Sequence, residues 1–89
     1  MVEVSFTQNL QRHVECHALQ VADGTLAEVL ERVFEVYPAL KDYVLTEQGE
    51  LRKHVMLAID QQLVQGALPA RQRLNSGSRL HVMQALSGG

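Results

Sequence analysis

At 89 residues, 46 % of them apolar, the chain has room for one compact core, and a deep enclosed active site is not expected. A formal charge of −2 gives no general attraction to nucleic acid or to an anionic membrane, and neither is expected as a partner. The single cysteine, Cys16, excludes an internal disulfide, no apolar run approaches the roughly 20 residues that span a bilayer, and the opening lacks the layout of a signal peptide, so the expected location is cytoplasmic.

The stretch VEVSF (2–6) sets Val2, Val4 and Phe6 against Glu3 and Ser5, the two-residue period of a strand with one buried face. TQNLQ (7–11) reads as a polar connection. HVECHALQV (13–21) alternates again, but its apolar positions change from even to odd near Ala18–Leu19, which predicts a second strand with a bulge or bend.

DGTLAEVLERVFEVYP (23–38) carries the strongest local signal. Thr25 followed by Glu28 is a capping box, in which hydroxyl and carboxylate satisfy backbone N–H groups that the first helical turn leaves unpaired. Leu26, Val29, Leu30, Val33, Phe34 and Tyr37 then form an apolar stripe, with Glu28, Glu31, Arg32 and Glu35 on the other face, and Pro38 ends the helix. Each fully buried member of that stripe contributes roughly 1.5–3 kcal/mol, so this helix is the expected plug of the core.

ALKDYVL (39–45) reads as a helical turn or an irregular packed segment, and TEQGE (46–50) as a loop. HVMLAID (54–60) places Val55, Leu57 and Ile59 on one face and Met56 and Ala58 on the other, a strand; QQLV (61–64) returns as a short one. QGALPARQRLNSGS (65–78) is a long connection. RLHVMQAL (79–86) is a last strand with Leu80 and Val82 inward and His81 and Met83 outward, feeding into SGG. The pattern is α+β, a helix packed on one face of a sheet whose other face is open to solvent or a partner.

With these landmarks in order, DGTLAEVL at a helix start, Tyr37–Pro38 at its end, AIDQQLV at a strand and turn, and a strand running into Gly88–Gly89, the chain resembles the MoaD/ThiS sulfur carriers over nearly its whole length. GELRKHVMLAID and VMQALSGG look closest to the CysO-like members. The resemblance implies a ubiquitin-like β-grasp fold, a mixed sheet of four to five strands with one main helix, spanning 1–84, and a flexible diglycine tail at 85–89. It implies a carrier and not an enzyme: an ATP-dependent adenylating and sulfur-transfer enzyme converts the Gly89 carboxylate to an acyl-adenylate, a sulfur donor displaces AMP, and the thiocarboxylate passes sulfur to a downstream synthase. No cofactor is expected on the chain itself; ATP and the sulfur donor are used by the partner. The acceptor pathway, whether cysteine, thiamine, molybdopterin or another sulfur metabolite, stays open, as do residues removed beyond Gly89 by a peptidase. The alternatives are a MoaD-like small subunit of molybdopterin synthase, a ubiquitin-like modifier conjugated through Gly89, and a β-grasp interaction module without tail chemistry.

The physical demand for glycine stands beside that resemblance. A Cβ would collide with the walls of a narrow channel, and glycine admits backbone angles closed to other residues. An α-carboxylate with a pKa of about 3.3–3.7 is an anion at neutral pH and a poor electrophile, so it needs activation. Ala85 to Gly89, extended, reach roughly 16–18 Å, enough to carry Leu86, Ser87 and Gly88 into a partner's site while the globular part docks outside. Met56, Ala58, Met83 and Leu86 are the candidates for that docking, as outward apolar residues. Arg71, Arg73 and Arg79, close to the tail in sequence, are candidate partners for acidic groups, although solvated surface charge is the simpler reading.

Other constellations carry less. His13, Glu15 and His17 would share one face of a strand over 13–17, yet Cys16 would point to the opposite, core side, so neither a metal site nor a Cys–His nucleophile pair is expected. His54 and His81 read as neighbours across two strands. Asp60 reads as turn chemistry.

Overall fold

In the computed structural model, which describes residues 1–84, the alternation of VEVSF becomes β1 (Val2–Phe6), with Val2 and Val4 wholly buried. The Leu86, Ser87, Gly88 and Gly89 positions of the expected tail lie outside the described residues. TQNLQ is not a connection. It opens α1 (Gln8–His13), which inserts Leu10 completely into the core and ties back to β1 through the Gln11 carboxamide, which donates to the Phe6 carbonyl at 3.0 Å.

The predicted strand over 13–21 shortens to β2 (Leu19–Val21), antiparallel to β1 with Val2 opposite Val21 and Val4 opposite Leu19. Val14 and Cys16 are buried from the irregular stretch before it. The even-to-odd slip marks where that stretch gives way to the paired strand. His13 therefore ends a helix while Glu15 and His17 lie on the irregular stretch, so the three do not share a strand face.

β3 (Gly24–Thr25) leads into α2 (Leu26–Val36) through the predicted capping box: the Glu28 amide donates to Thr25 Oγ1 at 3.3 Å and the Thr25 amide to Glu28 Oε1 at 2.9 Å. Leu26, Val29, Leu30 and Val33 are buried, with Phe34 and Tyr37 packed at the margin of the core. Pro38 ends this helix and opens the next, α3 (Pro38–Val44), which buries Leu40 and Val44. Proline lacks the N–H that a first helical turn would leave unpaired anyway, so one residue serves both functions.

β4 (Val55–Ile59) and β5 (Gln62–Val64) form a hairpin. The connection after it is not featureless, since β6 (Arg73–Leu74) pairs with β3 as a two-residue ribbon and buries Leu74. β7 (Arg79–Gln84) then runs up the middle of the sheet. The order is β2-β1-β7-β4-β5, with β1 and β7 parallel and every other pair antiparallel. The buried residues of α2 and α3, with Leu10 of α1, join the inward residues of this mixed five-stranded sheet in one core. Among the described residues no polar or charged residue is buried, and no buried side-chain polar atom lacks a partner.

Candidate functional site

The uncovered sheet face is built by the pleat. Leu80 and Val82 of β7 and Val55, Leu57 and Ile59 of β4 point inward and are buried, so His81, Met83, Met56 and Ala58 must point outward. Register places Met56 opposite Met83 and Ala58 opposite His81. Ala58 also faces Leu63 of β5, which is 65 % exposed, and His81 faces Ser5 of β1, whose hydroxyl lies 2.6 Å from His81 Nδ1. The result is a mostly apolar strip across four strands, with one histidine in its middle. Leu63 was not among the sequence candidates, although its place before the core residue Val64 in a short strand carried the signal. His54 stands in the turn before β4 and is not the neighbour of His81; Ala58 is.

Beside the Met56–Met83 pair, a concavity of about 600 Å³ is lined by Thr7, Gln8, Asn9, Arg12, Met56, Met83 and Gln84. It sits at the end of β7 from which the chain continues to the diglycine. Its cation is Arg12 of α1. Arg79, close to the tail in sequence, starts β7 at the other end, about 16 Å from Gln84 at roughly 3.3 Å per residue, and pairs with Glu3 at 3.6 Å. Both partners are exposed, and pairs of this kind add little stability. Arg73 faces Thr25 across the β3–β6 ribbon and Arg71 lies in the preceding exposed turn, both beside the start of α2 and away from the strip. These cations stand apart from the strip because β7 spans the full height of the sheet between Arg79 and Gln84.

Asp60 is turn chemistry of a structural kind. It takes a positive φ of 54°, and its Oδ1 accepts from the Arg79 amide at 3.0 Å. Cys16 is fully buried, and burial pushes its thiol above the usual value. Among the described residues no three His, Cys, Asp or Glu side chains gather as a metal site, and no helix is long and apolar enough to cross a membrane.

A five-stranded mixed sheet gripping one main helix, with the first and last strands parallel at its centre, defines a small ubiquitin-like protein of the β-grasp fold. The chain belongs to the ThiS family, whose model matches residues 7–89. Solved structures agree on the fold. A chain of the Amycolatopsis orientalis BexX/CysO complex superposes with a TM-score of 0.79 at 19 % identity, covering 100 % of both chains. Small archaeal modifier protein 1 (SAMP1) from Haloferax volcanii gives 0.75 at 22 % identity, covering 99 % of this chain and 98 % of that one. The protein of the same name from Methanosarcina acetivorans gives 0.73 at 22 %, over 99 % and 95 %. Comparison with curated protein sequences finds no match. The family match and the fold together place the chain among small ubiquitin-like proteins of the ThiS family.

Proposed function

We propose that the chain is a sulfur carrier that works through Gly89. The observation that carries the reading is the extent of the family match, which runs on from β7 through Gly88 to Gly89. The globular part, 1–84, serves as the docking body and 85–89 as the working tail. In the first step the Gly89 carboxylate attacks the α-phosphorus of ATP, giving an acyl-adenylate and releasing pyrophosphate. In the second a sulfide-level donor attacks the acyl carbon; the C–O bond to AMP breaks as the C–S bond forms, leaving a thiocarboxylate. Both steps belong to a partner enzyme. The carrier supplies an acyl group with no Cβ to obstruct a narrow channel, and a docking strip of Met56, Ala58 and Met83, to which we add their neighbours Leu63 and Arg12. A downstream synthase then takes the sulfur.

Intact mass tests this reading. Incubation with ATP, the activating enzyme and sulfide should add the mass difference between sulfur and oxygen, lost again on deleting Gly89. No gain with an activating enzyme competent on another carrier excludes the reading. A second reading, conjugation to lysines through the same acyl-adenylate, is favoured by the fold shared with the two archaeal modifier proteins. Lysine-linked adducts in a lysate, without the thiocarboxylate mass, would select it.

A further inference from the structure

Two departures from ordinary local rules meet at Gln84. Thr7 stands at the N-cap of α1 with extended backbone angles, φ −65° and ψ 154°, yet its side chain makes no capping bond to the helix. Its Oγ1 accepts instead from the Gln84 amide at 3.3 Å. Gln84, for its part, continues the inward positions of Leu80 and Val82, where a strand with one buried face ordinarily places an apolar side chain. Its carboxamide meets the Tyr43 hydroxyl of α3, which lies 3.2 Å from Oε1 and 3.0 Å from Nε2 and makes one hydrogen bond with the group, donating to the oxygen or accepting from the nitrogen. The Tyr43 ring is itself held, stacked on His13 with centroids 5.8 Å apart and planes 19° from parallel.

Neither bond is needed to close the core. A helix start that forgoes its cap and a polar residue at an inward strand position are the kind of local inconsistency that functional constraint leaves behind. Both are spent on the last residue of β7, whose pairing with Val55 is the final rung of the β4–β7 ladder.

We propose that Thr7 and Tyr43 are positioning residues, a clamp that holds Gln84, the residue from which the chain runs on to Gly89. The proposal rests on the carrier reading above. A segment leaving a strand inherits the swing of the strand's last held residue. A Gln84 released from both hydroxyls would let the final rung open, lengthen the tether and dilute Gly89 in the partner's site. Thr7 and Gln84 also line the concavity beside Met56 and Met83, whereas Tyr43 does not, so Tyr43→Phe is the variant whose loss should fall on kcat and not on KM.

The test uses Thr7→Val and Tyr43→Phe, singly and together, with Thr7→Ser as the conservative control. In the free protein, the Gln84 amide should exchange about 10-fold faster with solvent in Thr7→Val, with Thr7→Ser close to wild type. With the activating enzyme, Tyr43→Phe should lose about 5-fold or more in kcat while KM stays within about 2-fold, and the double variant should lose more in kcat than Tyr43→Phe alone. Wild-type kcat in the double variant, unaltered exchange at Gln84, or a loss confined to KM each overturns the clamp and leaves the carrier reading standing. A wild-type chain that is not adenylated at all overturns the carrier reading and the clamp's role with it.

Discussion

Asp60 and Arg79 are joined twice at the end of the β4–β7 ladder: the Asp60 amide donates to the Arg79 carbonyl at 2.8 Å, and the Arg79 amide donates to Asp60 Oδ1 at 3.0 Å. The second bond is possible because Asp60 holds a φ of 54°, a region that aspartate and asparagine enter more readily than other residues with a Cβ. Asp60→Ala should therefore lower stability by about 1–2 kcal/mol, combining the lost acceptor with left-handed strain. Asp60→Asn, which keeps both properties, should cost under about 0.5 kcal/mol. Urea midpoints of the two variants measure the difference, and equal costs would refute the account.

The capping box predicts an acid-dependent stability. The Thr25 amide, and after it the Thr25 hydroxyl, hold the Glu28 carboxyl below its ordinary value of 4.5. Asp23 is likewise held low, first by the Ser76 hydroxyl and then, with burial opposing, by the chain's amino group. A carboxyl depressed in the folded state contributes stability that is present above the unfolded pKa and lost as pH falls through the folded one. Glu28→Gln should thus flatten the decline in melting temperature below about pH 4.5, where wild type loses stability. Thr25→Ala should cost about 1 kcal/mol at neutral pH as well.

Cys16 should be unreactive in the native state. Its side chain is wholly enclosed, and burial raises the pKa of the thiol, whereas the thiolate is the attacking species. Labelling by a disulfide reagent at neutral pH should proceed only as fast as the fold opens, and should become rapid in denaturant. Native labelling at the denatured rate would show that the enclosure is not real in solution.

The proposed docking strip and the proposed clamp separate kinetically. Met83→Glu places a charge beside Met56 on the open face without entering the core. It should raise KM for the activating enzyme about 10-fold, equivalent to about 1.4 kcal/mol, with kcat and melting temperature little changed. An unchanged KM would remove Met83 from the docking surface.

The parts legible in the sequence were those in which periodicity and burial coincide. Val2, Val4 and Phe6, Val55, Leu57 and Ile59, and the Thr25–Glu28 box each announce an element by local spacing, and each is found where the spacing places it. α1 was hidden because one apolar side chain, Leu10, anchors it, too few to show a helical period. β6 is two residues long and exists through its partner β3, a tertiary fact. Arg12 joins the site because α1 folds back beside the end of β7, and Arg79 leaves it because the strand intervenes. The open face could be listed from alternation alone. The grip on Gln84 could not, since Thr7, Tyr43 and Gln84 are brought together by three different elements.

The parallel pairing of β1 with β7 also has a mechanical consequence. Val2 lies at the lower end of one strand and Gln84 at the upper end of its neighbour, and four residue pairs, from Glu3–Arg79 to Phe6–Val82, span the seam between them. Force applied between the two ends of the chain loads those rungs in shear, all at once, where a hairpin would open one rung at a time. The seam between the first and last strands therefore resists being drawn apart along the chain more firmly than it would resist peeling.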